Sequence, residues 1–450
     1  MNPEIRRHAW LDLGLHRLVI APLLLAALVG ILWMSGTQPA VPIAWGAFAL
    51  FIAVTVFWGS MRALASVSDE VRDRTWDFQR MAASTARDLA LGKVVGAPLY
   101  QWYVGAWCLA IFIVAGVQAG VPRLASRAVA LVAVAVLLHG LGVALSAASA
   151  RLPIGNRARR GGSVALLVAL LQFAPLVSLF GAGTEPIDVQ WWGWRMPVET
   201  FAAASTVLFA GWAMLAAWRT LCRELREPVR PWAWPAFAAF TAVWWAGLST
   251  ARYARPPLTQ VLALASLVLA AGTYVALAME PLTPVALARL ERAWAPGAKR
   301  WQPRMPGWAV HAPLALVLGA LATWLARGHA GFGTSALPVA LIATRDAAVV
   351  GCFALLSSAR SPVGRAAFYI ALADLLLPAI ALALQQPGLA RLCFPLLGLL
   401  DADMRPATLG AALHAGVAVG ALWMAVVHAR RAAPADPAGR AQSPWNPPAR

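Results

Sequence analysis

Acidic side chains are few in this sequence, nineteen Asp and Glu against thirty-seven Lys and Arg, and charged residues make up only 12% of its 450 residues. Soluble domains carry about twice that share of charge. A chain with 60% hydrophobic residues and a mean hydropathy of +0.66 belongs in a bilayer. Cysteine is nearly missing: Cys108, Cys222, Cys352 and Cys393 stand singly, without zinc, redox or haem spacings, and read as small apolar side chains. No G-x-x-x-x-G-K-[ST] loop, H-E-x-x-H or G-x-S-x-G occurs, and no polar segment is long enough for a soluble catalytic domain. The expectation is a protein that is not an enzyme and has no metal or cofactor of its own. Nucleic-acid binding needs a soluble basic face with reading or stacking residues. Here the bases sit in short loops between apolar runs, where anionic headgroups and membrane insertion explain them, so no nucleic-acid partner is expected.

What is abundant is apolar runs. A bilayer needs about 20 apolar residues per crossing. On that ruler the spans fall near 18–35, 43–61, 99–119, 128–149, 164–181, 200–218, 232–249, 258–279, 309–326, 336–357, 367–384 and 407–427. The fold class is therefore all-α, a polytopic membrane protein of about twelve transmembrane helices in two six-helix units. One unit covers 1–231 and the other 232–427, followed by a Pro-rich tail, 428–450, expected to be disordered. Leu392 to Leu400 is too short to cross and reads as interfacial or re-entrant. With the N-terminus inside, twenty-eight of the thirty-seven Lys and Arg fall in cytoplasmic segments, eight fall outside and Arg345 lies within a span. Both termini are thus expected in the cytoplasm. No small-x-small cleavage site follows the first apolar run, so that span is expected to be retained. Asn2-Pro3 reads as a cap and first helical residue, opening an interfacial helix with Trp10 and the arginines at headgroup level.

The most polar interval in the first half is 66–98, which by the same count faces the cytoplasm. Read as one helix, it places Val71, Thr75, Phe78 and Ala82 on one face, with Trp76 pointing away. Asp69 would cap its start, Glu70 would pair with Arg74 and Asp77 with Arg80. A second helix starts at Thr85, since Thr85-Ala86-Arg87-Asp88 has capping-box form, and leads through Gly92-Lys93 into the next span. A solvated loop held helical by its salt pairs accounts for the same pattern.

Glu70, Thr75-Trp76, Asp88 and Gly92-Lys93 resemble the cytoplasmic coupling segment of ABC-2 type transporter permeases, whose pattern is roughly E-x-x-x-G-T-L, T-P-L-S, E-x-x-x-G-K. Arg74 stands at the usual glycine and Ala83 at the usual proline. The resemblance covers about the first 230 residues and is carried by motifs of moderate specificity. It implies the membrane-spanning subunit of an ATP-binding-cassette transporter, an exporter in the inner membrane, driven by a separate ATPase subunit that binds the ATP. The pathway is then built by this chain alone or together with a second permease chain. It also implies that Glu70, Thr75, Trp76, Asp88 and Lys93 meet that ATPase, that the loop from Arg151 to Gly162 makes a smaller contact, and that short helices dip into the outer leaflet between Gly181 and Glu199. The tryptophans of that outer loop read otherwise as belt residues.

Ionisable groups inside spans are costly and are functional candidates by default. They are His139, Arg345, Asp346 and Asp374. Arg345 and Asp346, adjacent on a helix, point in different directions and are not expected to be each other's main partner. Asp374, four residues before Pro378, reads either as a proton relay or as the partner of an arginine. A twelve-span secondary transporter driven by an ion gradient is the alternative to the ABC reading, and a non-transporting membrane scaffold is a third.

Overall fold

The computed structural model describes residues 2–34, 36, 38–81, 85–149, 187–227, 229, 232–249, 258–279, 306–326, 332–356, 362–393 and 405–432. In lipid a backbone must satisfy its own polar groups, which an α-helix does within one segment. Nearly all described residues are accordingly helical. Among them, ten helices are long and apolar enough to cross a membrane: Leu15–Met34, Ala40–Arg72, Leu99–Gln118, Leu124–Ser149, Val198–Glu224, Leu258–Leu277, Trp308–Leu325, Ala336–Leu355, Gly364–Ala383 and Thr408–Val427. The protein is therefore a multi-pass, all-α membrane protein. The expected span at 164–181, the 151–162 loop, most of the loop at 280–307 and the end of the tail lie outside the described residues, as do Ala82 and Ala83. Of the 392–400 stretch, only Leu392 and Cys393 are described, closing the short helix Pro387–Cys393.

The chain forms two compact units, Met1–Val229 and Arg230–Arg450. In the first, α1 (Pro3–Asp12) precedes α2 (Leu15–Met34) and α3 (Ala40–Phe51). A π-helical segment, Ile52–Trp58, joins α3 to α4 (Gly59–Arg72). Two short helices follow, α5 (Trp76–Met81) and α6 (Ala86–Leu91), the latter running through a second π-helical segment, Gly92–Gly96, towards α7 (Leu99–Gln118). Then come α8 (Leu124–Ser149), a hairpin of β1 (Asp188–Trp191) and β2 (Trp194–Pro197), and α9 (Val198–Glu224). Phe48, Phe51, Val104, Phe112 and Leu138 centre the core. Small residues let helices approach closely, as membrane packing requires: a Cβ on Gly140 would lie 3.1 Å from the Ala213 backbone.

The second unit contains α10 (Ala233–Ser249), α11 (Leu258–Met279), α12 (Trp308–Leu325), α13 (Phe332–Leu356), α14 (Pro362–Ala383), α15 (Pro387–Cys393) and α16 (Arg405–Ala432). Its core is built on Ala238, Leu269, Ala270, Ala315, Ala340 and Ala343.

The continuous helix expected through 71–82 is broken. α4 ends at Arg72, and Arg74 adopts the left-handed conformation, φ 58°. The Thr75 amide donates to Glu70 O at 2.9 Å and the Arg74 amide to Val71 O at 3.2 Å, a Schellman closure. The position where the ABC-2 pattern has glycine is thus one where glycine is the unstrained residue. Arg74→Gly is expected to stabilise the protein by about 0.5–1 kcal/mol, the relief of left-handed strain partly offset by the entropy of the unfolded glycine. Equilibrium unfolding in mixed detergent micelles would measure it, and a loss of stability would contradict this account of the turn.

The described residues between Gly181 and Glu199 form the β-hairpin and not the short helices expected. Trp192 and Gly193 carry φ of 51° and 81°, which suits the type I′ turn that two-residue hairpins prefer. Glu199, in the first turn of α9, closes this end by accepting from Arg127 at 3.1 Å and Arg123 at 3.3 Å.

Candidate functional site

The element from Ala40 to Arg72 has 33 residues. At 1.5 Å per residue it is about 50 Å long, well beyond the ~30 Å hydrocarbon core. The last turns of α4 therefore project from the membrane and carry Glu70 with them. Around Glu70 the structure gathers side chains from three other elements. Arg7 of α1 donates to Glu70 Oε1 at 2.5 Å, Gln79 of α5 donates to the same oxygen at 2.7 Å, and Lys93 donates to Oε2 at 2.6 Å. Lys93 also reaches Glu4 Oε1 at 3.3 Å, as does Arg7 at 2.8 Å. Two acids and two bases thus neutralise one another where water is largely excluded: Lys93 is 0% exposed and Glu4 8%. Charge-assisted bonds of this kind are about twice as strong as neutral ones.

α1 is locked to this network by its own start. Asn2 Oδ1 accepts from the Glu4 and Ile5 amides, so Asn2 caps the helix. Its side-chain amide donates to Asp88 O at 2.7 Å. Burial alone would push the Glu4 carboxyl up, but the neighbouring His8 ring and the Lys93 and Arg7 charges hold it well below the carboxylate range, at about 2. The Arg7 guanidinium, although desolvated, is raised by its bonds to Glu70 and Glu4.

Gly92 makes the approach possible. A Cβ there would stand 2.4 Å from Glu4 Cβ and 2.6 Å from its Cγ. Gly92→Ala is expected to push α1 off its seat and destabilise the unit by about 1–3 kcal/mol, the range for overpacking, despite alanine's better helix propensity. Hydrogen exchange of the α1 amides reads this out, and unchanged protection would refute the contact.

Each residue singled out from the sequence has a definite place here. Thr85 caps α6, accepting from the Asp88 amide at 3.1 Å and donating to its carboxylate at 2.7 Å. Asp77 and Arg80 pair at 3.5 Å. Thr75 is exposed at the break and donates its hydroxyl proton to Glu70 O at 3.3 Å. Three expectations are corrected. Glu70 does not pair with Arg74, because the left-handed turn takes Arg74 out of the helix while Arg7 and Lys93 occupy both carboxylate oxygens. Asp69 does not cap a helix start: it lies in the last turn of α4, 3.4 Å from Arg72. Trp76 does not point away. It is 5% exposed, packs with Ala86, Leu89, Val94 and Leu221, and lies under Lys93 with the ammonium 5.5 Å from its ring centroid. The break resets the helical phase at Trp76, so counting from Val71 misplaces it. Glu4, Arg7 and Gln79 were not singled out, although Glu4 and Arg7 stand at the i,i+3 spacing of a helical pair.

The intramembrane polar residues do not form one site. His139 belongs to the first unit, fully buried, with its Nε2 2.9 Å from Thr55 O in the first π-helical segment and its ring edge-on to Trp102. Asp346 and Asp374 belong to the second and meet through Arg345. The guanidinium donates to both oxygens of Asp374, at 2.8 and 2.7 Å, and through Nε to the adjacent Asp346 at 2.7 Å. Tyr274 donates to the other Asp346 oxygen at 2.6 Å. The main partner of Arg345 is thus Asp374 on α14, which takes both prongs of the fork, while the Nε at the base of the fork also reaches the adjacent Asp346.

Fold and sites together define a multi-pass helical membrane protein with a braced polar segment after its second crossing. In comparisons with known proteins, the chain matches no family model, no curated protein and no solved structure.

Proposed function

We propose that this chain is the membrane-spanning permease subunit of an ABC transporter of the ABC-2 type, an exporter of the inner membrane with both termini in the cytoplasm. Twelve spans in two six-span units would include α10, whose 17 mostly apolar residues nearly suffice to cross, and the 164–181 segment. ATP would be bound by a separate ATPase subunit. The observation that supports this reading best is the convergence of Glu70, Trp76 and Lys93, three residues of the coupling-segment pattern, on one buried network with α1. Force applied to α5 and α6 would pass through Glu70 into α4 and through Lys93 towards α7, moving the spans as rigid bodies. In this arrangement Lys93, Trp76 and Glu70 brace the segment from within. The ATPase would be met by what is exposed: Thr75, Phe78 at 72% and Met81 at 75%.

A photo-crosslinker placed at Phe78 in cells should capture an ATPase carrying a phosphate loop, and Phe78→Asp should abolish its co-purification while leaving the permease in the membrane. Capture of no nucleotide-hydrolysing protein would sink the proposal. The ion-gradient-driven secondary transporter remains the second reading, favoured by the ionic cluster of Arg345, Asp346 and Asp374. Transport lost to an uncoupler but retained on ATP depletion would select it.

A further inference from the structure

Among the described residues, the cluster on α11, α13 and α14 does not balance its charges. Asp346 and Asp374 supply two carboxylates and Arg345 one guanidinium, all within candidate spans. Asp346 and Asp374 lie near the middle of their spans, the depth at which an uncompensated charge is most costly and where transporters place their ion sites. The two carboxylates are not equivalent. Asp374 receives both prongs of the guanidinium fork, the strongest pairing open to a carboxylate. Asp346 receives a single charged bond, from Nε, and its other oxygen lies 2.6 Å from the Tyr274 hydroxyl, a neutral group. One further titratable group stands near them: His414 of α16 lies within electrostatic reach of Arg345 and Asp374.

We propose that Tyr274, Arg345, Asp346 and Asp374 form a proton-binding site in the second unit, with the proton held on Asp346 against the Tyr274 oxygen. The proton comes from hydronium in the bulk solvent, which is left as water. It adds to a lone pair of Asp346 Oδ2 and takes the cluster from one net negative charge to none. The hydrogen bond then reverses: the carboxyl O–H donates to Tyr274 Oη, and the phenol's own proton turns away. Asp374 stays ionised under the fork. Pro378 lies four residues on in α14 and has no N–H for the Asp374 carbonyl, so that carbonyl remains as an acceptor beside the site. None of this depends on the ABC reading.

Infrared spectroscopy of the full-length protein in lipid nanodiscs at neutral pH tests it. The wild type should show the stretch of one protonated carboxyl per chain. That band should vanish in Asp346→Asn and also in Asp374→Asn, where Arg345 and an ionised Asp346 balance without a proton. Tyr274→Phe removes one oxygen, so a failure of the Asn variants to insert leaves the test intact: the band should persist there but shift in frequency. A wild type without the band, a band that survives Asp346→Asn, a band unmoved by Tyr274→Phe, or a His414 imidazolium in place of the protonated carboxyl overturns the assignment.

Discussion

Arg345→Met is expected to destabilise the second unit by at least about 3–5 kcal/mol, the cost of removing one partner from a buried ion pair. The figure is a lower bound because one substitution removes three bonds, both fork bonds of Asp374 and the only charged bond of Asp346. Within a bilayer no water replaces them. Charge balance predicts the opposite for the partner: Asp374→Asn leaves Arg345 with Asp346, keeps a carbonyl acceptor for the fork, and should cost less than about 1.5 kcal/mol. Steady-state levels in the membrane and unfolding in mixed micelles should therefore rank wild type and Asp374→Asn close together and Arg345→Met far below. If Arg345→Met matched the wild type, the cluster would not be the load on this unit that its geometry implies.

Lys93→Met should cost the first unit about 3 kcal/mol, the low end of the same range. The ammonium is fully buried, and without it Glu70 Oε2 and Glu4 lose their inner cation. Arg7 still reaches both carboxylates, but its side chain is 39% exposed, and water screens its charge more. The α1 amides should exchange faster, because Glu4 ties α1 to the segment. Adding Glu70→Gln should restore part of the loss, since it removes a buried charge; double-mutant coupling of 0.5–3 kcal/mol is the usual range, of order the loss itself. Strictly additive effects would mean that Lys93 and Glu70 do not act as a pair.

Much of the first unit's site could be read in the chain. Asn2-Pro3 announced the start of α1, and Thr85 with Asp88 announced α6, because caps are local bonds written in neighbouring residues. Glu70, Trp76 and Lys93 stood out by their spacing. Their partners did not, since Glu4 and Arg7 lie more than sixty residues from Glu70 and Gln79 nine residues on, beyond a helix break. That break was the decisive miss. Arg74 has no sequence property that demands a positive φ, so helical periodicity runs unbroken across it and misplaces both Trp76 and Arg74. The hairpin at Trp192-Gly193 was missed for a related reason: a tryptophan-rich outer loop looks like a membrane belt whatever its backbone does.

By itself the sequence determined that the protein is helical and crosses the membrane many times. Apolar runs of span length leave a backbone in lipid no other way to satisfy its hydrogen bonds. It also determined which charges are too few to be ornamental. Only the tertiary structure decided which of those charges meet: Lys93 with Glu4 and Glu70, Arg345 with Asp374 and Asp346, and His139 with neither. Pairing across a folded chain depends on where helices stop, turn and pack, and one left-handed residue or one glycine against a neighbouring helix can set that without leaving a periodic trace in the sequence.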